Sequence, residues 1–335
     1  MSKLKVGVIG TGHLGSLHAK MLAEIGAANL VGVFDIDKPK AEKVASDTQS
    51  KAFPTLEELL SSVQAVSIAT TTKSHFDVGQ LALNRGVHAF VEKPITETID
   101  QARGLVELAD SRGLKLQVGH IERFNPAILA LEQLTLRPMF IESHRLAQFN
   151  PRGSDVAVVL DLMIHDIDLI LSLVKSRVVR IDANGIAVVS EGEDIANARL
   201  QFENGCVANV TASRISQSKM RKMRLFQHDA YISIDFLQGL AEVFRLVDEG
   251  DPNVKPTMML GKIDQGKRKR LIVYEQPEVK EVNALKYELE LFVRAVQENR
   301  EPPVTGRDGL QALEVAEEIL KKISSSSKAI LTNRE

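Results

Sequence analysis

The opening of the chain constrains its fold more than any other stretch. Val6-Gly7-Val8-Ile9 is a continuous apolar run, the pattern of a parallel strand buried on both faces. It leads directly into Gly10-Thr11-Gly12-His13-Leu14-Gly15 and then into a helix of apolar periodicity. In a turn of this kind the first glycine permits the tight bend, the second lets the backbone approach a pyrophosphate, and the third lets helix and strand pack closely. The phosphates are then expected at the helix N-terminus, where unpaired N–H groups and the helix dipole favour negative charge. Asp35 ends the second apolar run, Leu30-Val31-Gly32-Val33-Phe34, where a carboxylate can accept hydrogen bonds from ribose hydroxyls. Strand, turn, helix, strand and acid in this order predict a dinucleotide site made by Gly10, Gly12, His13, Leu14, Gly15 and Asp35. The plainer alternative is a βαβ unit with a glycine-rich turn. A carboxylate at 35 repels a 2′-phosphate and no arginine follows it closely, so NAD is expected over NADP.

The alternation continues through the first 120 residues. Ala65–Ala69 reads as a strand, His75–Asn84 as a helix, Val87–Val91 as a strand, Asp100–Ser111 as a helix and Leu114–Val118 as a strand. That rhythm predicts a doubly wound parallel sheet, whose ligands bind beyond the C-terminal strand ends. The residues there are Thr70-Thr71-Thr72, Glu92-Lys93-Pro94 and Gly119-His120. With 335 residues the chain is long enough for two domains. From about residue 139 the pattern changes to longer alternating strands: 139–146, 178–189, 196–202, 207–212, 221–227 and 231–236. They predict a largely antiparallel sheet with one uncovered face, which either carries water or becomes a dimer interface. Two helices near 283–299 and 309–323 close the pattern, with Ser324–Ser327 read as a helix-ending loop. The expected division is 1–122 for nucleotide binding and 123–335 for substrate binding and oligomerisation.

Composition narrows the class. The chain is 44 % hydrophobic and 26 % charged with net charge −2, so a packed chain with no global attraction to nucleic acid or acidic membranes is expected. Cys206 is the single cysteine. It excludes an internal disulfide, suits the cytoplasm, and sits in a strand–turn–strand pattern that predicts a core position. The apolar start is broken by Gly10 and Gly12, so neither a signal peptide nor a membrane span is expected. Gly266-Lys267-Arg268-Lys269-Arg270 reads as a solvated loop, and Met258-Met259 as loop residues covering the core.

Three constellations carry chemistry. Lys93, in Glu92-Lys93-Pro94 after an apolar strand, can donate to a substrate hydroxyl or take its proton, and the bond before Pro94 is a candidate cis peptide. The plainer reading is a surface lysine beside a turn proline. Asp161 and His165 lie four apart on a helical pattern and so share a face, where the carboxylate can orient the imidazole as an acid–base partner. An exposed ion pair or a metal site are the alternatives, and with no third histidine or cysteine in register no metal is expected. Asp166 and Asp168 are expected as caps or solvated charges. Glu122 and Arg123, after Gly119-His120 at the last parallel strand, are candidate substrate contacts, with Arg123 either clamping an anion or tying the two domains together.

These motifs, in this order, resemble the glucose–fructose oxidoreductase/inositol dehydrogenase (Gfo/Idh/MocA) family of nicotinamide-dependent sugar oxidoreductases, and the resemblance covers essentially the whole chain. It implies a Rossmann domain followed by an α+β domain whose open sheet mediates homodimers or homotetramers. It further implies that Lys93, Asp161 and His165 meet at the substrate carbon facing the nicotinamide, with Thr70, Thr71, His75, Glu92 and Lys93 along the cofactor and Lys93, Glu122, Arg123 and His165 on the substrate. Many members carry Gly-Gly where this chain has Val156-Ala157. The loops at 119–126 and 155–168 are similar to a sugar-nucleotide branch that oxidises C3 of UDP-N-acetylglucosamine. A free polyol or monosaccharide dehydrogenase is the nearest alternative, and a non-catalytic nicotinamide-responsive regulator the alternative of another class.

Overall fold

The computed structural model of the protein describes residues 2–150, 156–249, 258–265 and 268–332, with side chains at all of these except 264, 265, 268 and 326–332. The chain divides into two compact units: Met1–Phe124 with Asn283–Glu314, and Asn125–Val282 with Val315–Glu335. The first boundary lies close to the expected one. The return of residues 283–314 to the first unit departs from the expected 123–335 domain.

The first unit is built on strands β1 (Leu4–Ile9), β2 (Ala28–Phe34), β3 (Lys51–Ala52), β4 (Ala65–Ile68), β5 (His88–Glu92) and β6 (Leu116–Gly119). They form one sheet in the order β3-β2-β1-β4-β5-β6 with every neighbouring pair parallel. The order reverses at β1, so the loops after β1 and β4 flank the crevice where such sheets bind nucleotides. Helices α1 (His13–Glu24), α2 (Lys38–Asp47), α3 (Leu56–Ser62), α4 (His75–Asn84) and α5 (Ile99–Arg112) make the crossovers. α5 begins with a capping box, the Thr98 hydroxyl accepting from Gln101 N–H and the Gln101 side chain from Thr98 N–H. Among the short helices that follow is α6 (Pro126–Leu129), in the second unit.

The distant segment joins the first unit because its helix has an apolar stripe. In the later helix Ala284–Gln297, residues Leu285, Leu289, Phe292 and Val293 recur at helical spacing and bury with Val6, Val8, Leu22 and Phe90 in one core cluster. Phe90 meets the Phe292 ring edge-on at 5.8 Å. The last helix, Gly306–Thr332, begins close against β6, where a Cβ at Gly306 or Gly309 would press on Leu116 or Val118. This helix runs on through Ser324–Ser327, which corrects the loop expected there. No glycine or proline interrupts that stretch, and the Ser325 hydroxyl donates to the Lys321 carbonyl one turn back.

The second unit carries a nine-stranded sheet of β7 (Phe140–Leu146), β8 (Val178–Ile186), β9 (Ile195–Phe202), β10 (Val207–Ser213), β11 (Met220–Gln227), β12 (Ala230–Asp235), β13 (Leu240–Asp248), β14 (Met258–Gln265) and β15 (Arg268–Glu275). Its order is β14-β15-β13-β12-β11-β7-β10-β9-β8, and only β7 and β10 pair in parallel. Helix α7 (Ile164–Val174) packs on β7 and β10, and alternate residues of β7, β9 and β10 are buried. With α7 placed, the helices Ala284–Gln297 and Gly306–Thr332 become α8 and α9. Cys206 is buried as expected, and burial pushes its thiol up to about 11.

Three readings of the second half are corrected. Strands β13, β14 and β15 extend the sheet where no strand was expected. Met258 and Met259 are each 56 % exposed on β14, so they cover no core. Of the basic run, Arg268–Arg270 open β15, while Gly266 and Lys267 lie outside the described residues.

Candidate active site

The glycine-rich turn has the geometry its sequence predicts. Gly10 has φ +88°, and a Cβ there would stand 2.7 Å from the Ala69 carbonyl oxygen; a Cβ at Gly15 would overlap the carbonyl oxygen of Gly10. Gly12 is the N-cap of α1, with open space where a side chain would be, no capping side chain and no acidic residue in the first turn. The free N–H groups of a twelve-residue helix therefore face an uncrowded approach, which fits a pyrophosphate. His13 and Leu14 are exposed on the same turn. Asp35 stands at the end of β2, and its Oδ2 accepts from Thr11 N–H at 2.6 Å and from the Thr11 hydroxyl at 2.9 Å, while Oδ1 accepts from Asp37 N–H. The carboxylate thus locks the turn as well as standing where ribose hydroxyls are expected.

Beyond β4, Thr70 is half-buried and Thr71 exposed. His75, expected along the cofactor, is 1 % exposed. Its Nδ1 lies 2.9 Å from the Pro94 carbonyl oxygen and its Nε2 3.3 Å from that of Thr70, so the ring ties two loops together. Burial lowers its pKa, against the two carbonyls that favour the charged ring. Beyond β5 the Lys93–Pro94 peptide is cis and Lys93 is half-buried. Glu92, also expected along the cofactor, turns inward: Oε1 lies 3.0 Å from His18 Nε2, close but not aligned as a hydrogen bond. Its Oε2 accepts from Lys93 N–H at 3.3 Å. His18 Nδ1 meets Ser67 Oγ at 2.7 Å.

Beyond β6, Glu122 is buried and Arg123 is committed within its own unit. The Arg123 guanidinium lies 3.3 Å from Asp308 and donates to the Pro303 carbonyl. Burial raises the pKa of Asp308, but Arg123 and the hydrogen bonds from the Thr305 hydroxyl and N–H together outweigh it, and the net shift is downward. The Arg123 side chain thus fastens the turn Ile121–Phe124 to the start of α9.

In the second unit Asp161 and His165 are both half-buried on one helical segment. The segment is not a regular α-helix. Val159–Met163 is a π-turn, in which Ile164 N–H donates to the Val159 carbonyl five residues back, and α7 follows at once. Such turns insert a residue into a helix and re-aim its side chains. Asp166 and Asp168 are 2 % and 1 % exposed, correcting the expectation of caps or solvated charges. Asp166 accepts from Arg145 Nε at 2.5 Å and from the Ser143 hydroxyl at 2.8 Å, so it pins the start of α7 to β7. The described residues hold no group of three or more His, Cys, Asp or Glu able to bind a metal, and no described helix is long and apolar enough to cross a membrane.

His18, Ser67 and Arg145 escaped the sequence reading. His18 lies three residues past Gly15 on the apolar stripe with Ala19 and Leu22, and a polar residue in such a stripe is the signal that marks it.

A parallel sheet with a glycine-rich turn at its first crossover, followed by a unit built on a large, mostly antiparallel sheet, is the architecture of a two-domain nicotinamide oxidoreductase. The chain belongs to the Gfo/Idh/MocA oxidoreductase family: the model described as oxidoreductase family, NAD-binding Rossmann fold, matches residues 4–120, and the GFO/IDH/MocA C-terminal domain matches residues 140–233. It is 38 % identical over 317 residues to a UDP-N-acetylglucosamine 3-dehydrogenase of Acidithiobacillus ferrooxidans, covering 94 % of this chain and 96 % of that protein. The solved structure of that dehydrogenase superposes with a TM-score of 0.86 at 36 % identity, over 97 % of this chain and 99 % of the other. A scyllo-inositol 2-dehydrogenase (NAD(+)) of Bacillus subtilis is 27 % identical over 64 % of this chain and 68 % of its own length.

Proposed function

We propose that the protein oxidises a secondary alcohol of a sugar nucleotide, C3 of UDP-N-acetylglucosamine, to the 3-keto sugar. The observation that carries this reading is the 38 % identity, along nearly the whole of both chains, to a relative named for that reaction. NAD, when bound, supplies the acceptor for the hydride that leaves the carbinol carbon. The residues of this chain do the rest. The first turn of α1 receives the pyrophosphate and Asp35 the ribose hydroxyls. His165 takes the hydroxyl proton, with Asp161 orienting the ring. Lys93 donates to the same oxygen and stabilises the charge that develops on it. Thr70 and Thr71 line the cofactor beside the glycine-rich turn. The single buried Cys206 suits a reducing cytoplasm.

Ketone formation is uphill, so the test includes a trap: purified protein with NAD, UDP-N-acetylglucosamine, glutamate and a 3-keto-sugar aminotransferase, read by mass spectrometry. An aminated sugar nucleotide is expected. The same assay run with free inositols and free N-acetylglucosamine is expected to give nothing, and turnover of those alone moves the assignment to a free polyol or sugar. Lys93→Met is expected to leave NAD affinity within about twofold and to lower kcat by about a hundredfold or more. Unaltered kcat removes Lys93 from the mechanism.

A further inference from the structure

Lys93 is gripped on both flanks by buried histidines of its own unit. On one side, Glu92 accepts the main-chain N–H of Lys93 through Oε2 and faces His18 of α1 through Oε1 at 3.0 Å. His18 is fully buried, stands edge-on to Phe90 at 5.5 Å, and is held in turn by the Ser67 hydroxyl. Gly119 makes room for the carboxylate: a Cβ there would stand 2.7 Å from Glu92 Oε1. On the other side, the carbonyl of Pro94 faces His75 Nδ1 at 2.9 Å, and the same ring reaches the Thr70 carbonyl. The rings come from different helices, α1 and α4, and neither is open to solvent. Burying imidazoles and a carboxylate costs free energy that an apolar side chain against Phe90 would avoid. What the polar groups provide is a fixed place for the main chain on each side of one residue.

We propose that His18 and His75 are positioning residues for Lys93, two braces that hold residues 92 and 94 and thereby aim the amine between them. The proposal rests on the reading of Lys93 as the group that stabilises the substrate oxygen. The braces also give Lys93 its frame of reference. His18 ties it to α1, the helix whose N-terminus receives the pyrophosphate, and His75 ties it to the Thr70–Thr71 loop.

The test compares His18→Phe and His75→Phe, which keep a ring of similar bulk, with His18→Gln and His75→Gln, which keep a nitrogen donor. Two readouts are taken on the full chain. The first is the rate at which acetic anhydride acylates Lys93 with NAD bound, measured by mass spectrometry against the exposed Lys20 of α1 in the same molecule. The phenylalanine variants are expected to change the Lys93 rate by about threefold or more and to leave Lys20 unchanged. The second is turnover of UDP-N-acetylglucosamine. A fall in kcat of about tenfold to a hundredfold is expected, with KM for NAD within about twofold, and the glutamine variants are expected to recover part of it. Should a phenylalanine variant fail to fold, its glutamine counterpart together with Ser67→Ala carries the same comparison at smaller amplitude. Lys93 acylation and kcat both within twofold of the parent overturn the proposal, as does a rise in KM for NAD with kcat intact. If the parent chain does not turn over this sugar nucleotide, the reaction assigned above fails, while the acylation readout still decides the braces.

Discussion

His75 sits in the loop expected along the cofactor, with its ring against the main-chain carbonyls of Pro94 and Thr70. Its imidazole is buried against two carbonyls, and burial brings its pKa below the ordinary value of 6.5. The folded chain therefore binds fewer protons at this position than the unfolded chain does below that value. Its stability is complete above about pH 6.5 and is lost as the pH falls toward the folded pKa. His88, its pKa lowered first by burial and then by Lys115, acts in the same direction. The urea midpoint is expected to fall between pH 7 and pH 5, and His75→Gln to flatten part of that slope. A midpoint constant across this range in the parent chain contradicts the assignment. Gly10 and Gly15 were legible because each belongs to a local pattern whose backbone geometry has one use. The direction of Glu92 was not, because its partner His18 lies on another element and no spacing along the chain records that they meet.

The helical segment from Val159 to Val174 shows the same limit for elements. The four-residue spacing of Asp161 and His165 predicted a shared face on the assumption of a regular α-helix. The π-turn that carries Asp161 was not, since nothing in Val159-Leu160-Asp161-Leu162-Met163 distinguishes it from an ordinary turn. Asp166 looked like a solvated charge because its partners, Arg145 and Ser143, come from β7. Their pairing is visible only once β7 lies under α7. Arg145→Met leaves the Asp166 carboxylate buried without its cation and is expected to cost about 3–5 kcal/mol of stability in urea unfolding. A loss under about 1 kcal/mol contradicts the role given to the pair. Elements with strong periodicity matched closely: α4 spans His75–Asn84 as expected, and β7, β9 and β11 lie within a residue or so of the expected ranges. β14 was missed because Gly261 and its neighbouring charges read as a loop until β15 supplies its hydrogen bonds, whereas the apolar alternation of β13 was there to be read.

For the molecule as a whole, the sequence implied two units but not how the chain is shared between them. Helix α8 belongs to the first unit through its apolar stripe, a long-range contact that no local break in composition announces. The open sheet face was foreseen, and its content is now specific. Phe140, Phe226, Tyr231, Phe244 and Tyr274 stand on neighbouring strands as a continuous aromatic row, with successive ring centroids 5.0–5.8 Å apart. Phe226 is 37 % exposed. A row of this kind on a monomer surface fits a covering partner, and a second copy of this chain is the partner expected. Sedimentation velocity is predicted to give a dimer or tetramer that Phe226→Lys shifts toward monomer; a monomeric parent chain contradicts this.

The reaction itself is tested most directly by following the transferred atom. UDP-N-acetylglucosamine carrying deuterium at C3 is mixed with NAD and protein in excess, so that a single turnover is seen whatever the equilibrium, and the reduced cofactor is weighed. Deuterium in NADH is the predicted result, and its absence from the Lys93→Met variant ties the transfer to this site. NADH formed without deuterium places the oxidation at another carbon. No NADH, with NAD bound and the fold intact, contradicts the assigned chemistry.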